Sequence, residues 1–514
     1  MKNLKYLFFS FLLIGLYSCN EVEDVLEDNG VSTPDDLPVL SAGSADFSNY
    51  VAIGNSLTIG VTDNSVFRAT QTNSYPNILA GQFSSVGGGE FVQAMTADNY
   101  GGLSLGPDNG VPISTPGGTR IFGPRLVFNG SGPAGLESVI GPVTVGTNLL
   151  DNPTGPFNNL GVPGARSFHL VAPGYGNLAN LALGQANPYA VRLTGSTPDA
   201  SIMELALVQS PTFVSLWIGA NDVLSYATSG GSNGALTPTA TFDGAMDAIA
   251  GALSTSGAQG VMANIPYVTD IPFFTTVPHN PVPLDAATAA AVNGGYAGYN
   301  QAMGATQLPN DQIQNPLGGA LSAEEAAMRT ISFAEGPNAV VIEDENLTDL
   351  SAYGIPSIRQ ATEDDLVVLL GASFIGTLAD PNNPATVNGV GVPLADNWVL
   401  TKTEIVEVTE MIDHINGKIS SMATQLGYAH FDANNMFQQI FSGDITYNSF
   451  NPNASLVFGG MMSLDGVHPT SRGYAVIANE IMKAIDERYG SNFEASGNLV
   501  DIGDYPTNYS PLLQ

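Results

Sequence analysis

Tyr50-Val51-Ala52-Ile53-Gly54-Asn55-Ser56-Leu57 is the stretch that decides the fold of this chain. Four apolar residues in a row, closed by a glycine, read as a short strand buried on both faces. The polar Asn55-Ser56 pair follows at once, where a strand would turn into a helix. A hydroxyl on such a turn stands at the sheet edge, where loops border a cleft. Taken alone, Ser56 reads equally well as a helix cap or a turn residue.

Similar runs recur downstream. Phe157–Val162 reads as a second strand and leads into Gly161-Val162-Pro163-Gly164. Residues 212–218 (Thr-Phe-Val-Ser-Leu-Trp-Ile) read as a third, ending at Gly219. A helical stretch over Phe242–Leu253 precedes the apolar run Gly260–Ile265, and Tyr428–Phe431 reads as a last strand. Ile405, Val408, Ile412, Ile415, Ile419 and Met422 step by three or four residues, one apolar helix face that Gly427 ends. Ile477, Ile481 and Ile485 mark a closing helix over Arg472–Tyr489 with Gly490 as its stop. Strands alternating with helices predict an α/β fold with a mostly parallel sheet covered on both faces.

Each strand end carries polar residues. Asn221, in Gly219-Ala220-Asn221-Asp222, is a side-chain amide able to donate to an oxyanion; the alternative is a Gly-Asn turn with Asp222 as a cap. Gly164 lets a backbone N–H approach a ligand closely, although a plain Gly/Pro loop explains it as well. Asp465-Gly466-Val467-His468-Pro469 puts a carboxylate three residues before an imidazole. That spacing suits an aspartate holding one ring nitrogen while the other faces Ser56; the alternative is a capping aspartate and a surface histidine. His169, His279, His414 and His430 read as loop, helix or strand residues, and none has metal-ligand spacing with another histidine or a cysteine. Trp217 reads as core. Ile271, Phe273 and Phe274 are either an acyl-binding wall or ordinary packing.

In this order the four blocks resemble the SGNH, or GDSL-type, hydrolase family. The resemblance covers the core elements, about half of the chain. It implies a three-layer α/β/α sandwich around a five-stranded, flavodoxin-like sheet. It implies Ser56 as nucleophile, with Asp465 and His468 completing a triad. It implies the Ser56 N–H, the Gly164 N–H and Asn221 as oxyanion donors, with Gly161 a rival to Gly164. The family's Gly-Asp-Ser-Leu reads Gly54-Asn55-Ser56-Leu57 here, which keeps a polar contact and loses a charge beside the nucleophile. Gly-x-Ser-x-Gly is not formed, so the elbow of the α/β-hydrolase fold is not indicated. The expected activity is hydrolysis of carboxylic esters through an acyl-enzyme on Ser56, without a cofactor or metal. The alternative is a non-catalytic surface lipoprotein that binds glycan or lipid in the same cleft. The expected substrate is a small-molecule, lipid or acetylated-glycan ester.

The chain has 514 residues, 44% hydrophobic and 12% charged, ample for a large core. Lys+Arg is 14 against Asp+Glu 47, a net charge of −33 that repels nucleic acid and anionic headgroups. The single cysteine, Cys19, excludes a disulfide framework. Lys2, Lys5 and the short apolar run Leu7–Leu16 ahead of Cys19 read as an export signal over residues 1–18. The pattern resembles a bacterial lipoprotein signal with Cys19 lipidated, and Asn20 after it favours outer-membrane sorting. Residues 19–45 are acidic and poor in aromatics, an expected flexible tether, with surface exposure in view. The expected core spans residues 46–266 and 401–490. It is interrupted by a Gly-rich insertion of loops at 84–150 and by an inserted subdomain or lid at 267–400. A tail follows at 491–514. Within the larger insertion Ile271–Leu284 reads as irregular, Ala286–Met303 and Ser322–Phe333 as helical, and Glu363–Leu370 as ambiguous.

Overall fold

The computed structural model describes residues 37–514 apart from 152, 233, 312, 313, 384 and 448. The export signal, Cys19, Asn20 and most of the expected tether therefore lie outside the described residues. Five strands form the central sheet: β1 Tyr50–Gly54, β2 Asn159–Gly161, β3 Phe213–Trp217, β4 Gln259–Ala263 and β5 Ala429–Phe431. Their spatial order is β5-β4-β3-β1-β2, and every pairing is parallel. All residues of β1 and β3 are buried, which a sheet covered on both faces requires.

Helices α2 (Tyr75–Ser84) and α7 (Ser471–Tyr489) pack together on one side of the sheet. Helices α4 (Thr239–Ser256) and α6 (Lys402–Leu426) pack together on the other, which makes the expected α/β/α sandwich. The predicted stripe on α6 is the buried one: Val408, Ile412, Ile415, Ile419 and Met422 all face the core. Gly427 and Gly490 close α6 and α7 in the left-handed conformation. Trp217 lies in the core, its indole N–H donating to the Asn264 carbonyl at 3.0 Å.

The order β2-β1-β3 has a direct consequence for the site. The chain winds outward in opposite directions from β1, so the crossovers leave a crevice beyond the carboxyl ends of β1 and β3. Ser56 and Asn221 stand at those two ends.

The two insertions differ in build. Residues 84–150 hold short hairpins (Leu103–Ser104 with Arg120–Phe122, Leu126–Phe128 with Pro133–Gly135) and one five-residue helix. Arg120 clamps them, pairing with Asp108 at 2.6 Å and Glu137 at 2.9 Å. Residues 277–399 gather a core of their own around Val340, Val341, Ile342, Leu394 and Val399. Helix α5 spans Ala286–Ala305 as the pattern predicts.

Three readings need correction. The helix expected over Ser322–Phe333 ends at Arg329, because Thr330 turns extended with ψ 118°. The irregular stretch Ile271–Leu284 contains a turn of helix at Pro272–Thr275 and a strand at Val282–Leu284, which pairs with Gly336–Asn338. The end of the expected tether is docked: Ser44 N donates to the Tyr489 carbonyl at 2.8 Å and Ser41 N to Asn492 Oδ1 at 2.7 Å. Residues 491–514 also pack onto the core, with Phe493 and Ile502 buried and Ser510 O bound by Arg125 at 2.7 Å.

Candidate active site

Ser56 is the first residue of a one-turn helix, α1 (Ser56–Ile59), that begins directly off β1. Gly54 makes this abrupt start possible, since a Cβ there would lie 2.4 Å from the Trp217 carbonyl. Asn55 is fully buried and caps the turn, its Oδ1 accepting from Leu57 N at 3.0 Å. Thr58 N and Ile59 N bond to the Asn55 carbonyl. The Ser56 N–H is thus left without an acceptor among the described residues. Asn55 Nδ2 is buried and also lacks a partner. The cap needs only the oxygen that Asn and Asp share, so the local geometry of α1 tolerates asparagine.

The Asp465–His468 loop lies against the same end of the sheet. His468 Nδ1 and Asp465 Oδ2 are 2.8 Å apart. The same oxygen accepts from Asn64 N at 2.7 Å. Asp465 Oδ1 accepts from Val467 N and His468 N, each at 2.8 Å, and from Ser463 Oγ at 3.1 Å. Burial raises this carboxyl's pKa, but the charge of His468 and these hydrogen bonds outweigh it and hold it at about 2. Asp465 is therefore an anion over the whole physiological range. It fixes the ring and directs the Nδ1 proton toward itself. His468 Nε2 has no protein partner among the described residues.

Ser56, Asn221 and His468 line one small cavity with Leu57, Ile271 and Met462, about 40 Å³ in volume. No hydrogen bond yet joins Ser56 to His468, as is common before substrate tightens such a site. Asn221 opens helix α3 (Asn221–Ala227), and its Nδ2 donates one proton to the Ala165 carbonyl at 3.0 Å, the second having no acceptor among the described residues. Asp222 does not cap α3. It is fully buried and accepts from Ser167 N at 2.9 Å and Ser167 Oγ at 2.8 Å. These bonds fasten the loop after β2 to the helix after β3.

Gly161 and Gly164 separate cleanly. The Gly161 N–H is spent on Asn159 Oδ1 at 3.0 Å, and a Cβ there would strike Ile59 N at 2.3 Å. Gly161 is a close-approach residue under α1. Gly164 adopts φ 77°, and its N–H has no acceptor among the described residues, though Gly164 does not line the small cavity.

A larger groove, about 470 Å³, adjoins the other face of the loop. Leu126, Phe273, Leu369, Leu370 and Leu464 wall it beside Asp465 and His468. Both insertions contribute to it, and Phe273 N donates to the Gly466 carbonyl at 3.0 Å, joining groove and loop. Of the three residues weighed as an acyl wall, Ile271 lines the small cavity, Phe273 lines the groove, and Phe274 is core.

Two of the remaining histidines have side-chain partners elsewhere. His169 stacks on Tyr175 and accepts from Arg166 N at 3.0 Å; burial and the Arg166 charge lower its pKa to about 4. His414 Nε2 lies 2.9 Å from Asp243, and His430 is half-buried in β5.

Asp63 is the residue that sequence reasoning missed. It is fully buried at φ 54°, and its Oδ1 accepts from Leu464 N at 3.1 Å while Oδ2 has no partner. Its N–H donates to Ser463 Oγ at 3.0 Å, the hydroxyl that in turn supports Asp465. Burial, together with the nearby Asp465 charge, raises its pKa to about 7. A carboxyl raised in the folded state binds its proton where the unfolded chain has already lost it, so stability falls between about pH 4 and pH 7. Asp63→Asn keeps the Oδ1 acceptor and suits the left-handed backbone. It is expected to flatten that slope and to gain on the order of 2–4 kcal/mol at pH 8, at about 1.4 kcal/mol per pKa unit. Thermal melts of both proteins at pH 4.5 and pH 8 read this directly.

No family model matches this chain, and no curated protein is significantly similar to it. Among solved structures, one described as a GDSL-like lipase from Parabacteroides merdae aligns with 87% of this chain and 98% of its own, at 10% identity and a TM-score of 0.29. An extracellular lipase from Streptomyces rimosus aligns with 86% of this chain and 99% of its own, at 11% identity and a TM-score of 0.28. At this level of likeness the reading of the site rests on the chain's own geometry.

Proposed function

We propose that the chain is a serine ester hydrolase of the SGNH type. The observation that carries this reading is the Asp465 carboxylate, held by five hydrogen bonds and locked onto His468, in a loop that shares a cavity with Ser56 and Asn221. Ser56 Oγ attacks the ester carbonyl as His468 Nε2 takes its proton. The oxyanion is met by the Ser56 N–H, the Gly164 N–H and the free Asn221 amide proton. His468 returns the proton to the leaving alcohol. Water, deprotonated by the same histidine, then attacks the acyl carbonyl, and as the bond to Ser56 Oγ breaks His468 returns the proton to Oγ and the acid leaves. Each step is served by protein groups alone.

The groove beside His468 supports an acyl chain longer than acetyl as the portion recognised. Its volume lies within the range of small-molecule sites, and its walls are largely aliphatic and aromatic. A series of aryl esters of rising chain length, set beside acetylated glycans, tests this; a maximum at acetyl, or turnover of glycan only, overturns it. Export and anchoring through Cys19 belong to the same proposal and rest on the sequence pattern; loss of radiolabelled palmitate from Cys19→Ser in the native host checks them.

A fluorophosphonate probe tests the chemistry. One adduct on Ser56 is expected; a folded protein that takes up none is a binder instead. Asn221→Ala is expected to lower kcat about a hundredfold to a thousandfold with KM little changed, by loss of one oxyanion donor. Steady-state kinetics on an aryl ester, with melting curves to check the Ala165 anchor, measure it.

A further inference from the structure

Three carboxylates from separate segments meet far from Ser56 in the sequence. Glu345 follows the strand Val341–Glu343, Asp396 opens the short turn ending at Trp398, and Glu404 lies in the first turn of α6. One oxygen from each lies within 4.8 Å of the other two. Glu404 is 2% exposed. Its Oε2 accepts from Thr401 N at 2.7 Å and Thr401 Oγ1 at 2.8 Å, whereas Oε1 is buried and has no partner. Asp396 Oδ1 is likewise shielded and unpartnered. None of the three forms an ion pair with lysine or arginine among the described residues. Gly231 leaves room at Glu404 Oε1, where any side chain would collide with it at 1.6 Å.

Converging carboxylates with unpartnered buried oxygens are costly unless a positive charge compensates them. We propose that Glu345, Asp396 and Glu404 form a binding site for a hard divalent cation, Ca²⁺ by preference. The donor set is oxygen alone, which selects hard cations over zinc or copper. Its ligands come from a loop, a turn and a helix start, and Ca²⁺ tolerates such irregular geometry better than Mg²⁺ does. Glu345 is exposed and Asp396 half-buried, so the ion enters from that side and keeps water on it. Bound there, it ties the second core, through Glu345 and Asp396, to the helix that packs on the sheet.

The rival arrangement is a proton shared among the three carboxyls. Protein stripped with EDTA and exchanged into chelator-free buffer at pH 7.5 is titrated with CaCl₂ by calorimetry and melted with and without Ca²⁺. One binding event and a higher Tm in Ca²⁺ are expected. Glu404→Gln keeps an oxygen for the Thr401 cap, and Asp396→Asn keeps its shape; each is expected to weaken binding at least tenfold. No heat and no Tm shift at concentrations well above the about 1 mM typical of weak sites overturns the proposal, as does unchanged binding in the double variant. Ser56→Ala is expected to bind Ca²⁺ as the parent does, so the outcome is independent of the hydrolase reading.

Discussion

Ser56→Ala is expected to reduce kcat on an aryl ester by about 10⁴-fold or more while KM stays within a few-fold of the parent. The size follows from what is removed. Without Oγ no acyl-enzyme forms, and His468 and the oxyanion donors retain only the modest rate that positioning gives to attack by water. The side chain is 7% exposed and its Oγ makes no hydrogen bond among the described residues, so stability should barely change. Burst kinetics and intact-mass analysis give two readouts: the parent shows an acyl adduct, the variant none. A variant that turns over at the parental rate would remove Ser56 from the mechanism altogether.

Asp465→Asn is the second large effect, with kcat expected to fall about 10⁴-fold. An amide can satisfy only one side of the present arrangement. With Nδ2 in the place of Oδ2 it opposes the Asn64 N–H and the His468 ring; turned over, it opposes Val467 N, His468 N and Ser463 Oγ. In the first case His468 is driven to the tautomer whose Nε2 already carries a proton, and it cannot serve as base. The same substitution has a signature in acid. The Asp465 pKa of about 2 lies below its ordinary 3.8, so its contribution is complete above about pH 4 and is lost as pH falls toward 2. That contribution is roughly 2 kcal/mol, at about 1.4 kcal/mol per pKa unit. Melts between pH 2 and pH 5 should show a shallower acid limb in the variant. Asp63 acts with the opposite sign and in a separate window, so the two are resolved by pH alone.

The sheet was readable because its strands are buried on both faces. Tyr50–Gly54 and Phe213–Trp217 have no polar face, and a run of that kind has few other uses in a chain with this spacing of helices. Ser56, Asn221, Asp465 and His468 could be singled out as candidates because each lies in a short block at a strand end or loop, and the fold brings Ser56, Asn221 and His468 to one cavity. The support beneath them was not. Asn64 reaches Asp465, and Asp63 reaches Ser463 beside it, by bonds between distant segments, and Asp63-Asn64 reads locally as nothing more than a turn. Nothing in the Gly161–Gly164 block foretold that the Asn159 side chain takes up the Gly161 N–H. The insertions resisted reading because their strands are two or three residues long, too short for alternation to register. Glu345, Asp396 and Glu404 lie in three unrelated contexts, and no motif spacing connects them.

The bond from Asn64 N to Asp465 spans 401 positions of chain. The turn that carries Ser56 is thus made about four hundred residues before the groups proposed to activate it. During translation, and during any passage through a secretion channel, the proposed hydrolase is a serine without a base. It cannot act on an ester until the Asp465–His468 loop has formed and docked beside Ser56. The docked segment 491–514, reaching Arg125 and Asn99, delays completion further still. Topology here acts as a timer: the chain's own direction of growth withholds the proposed activity until Asp465 and His468 join Ser56.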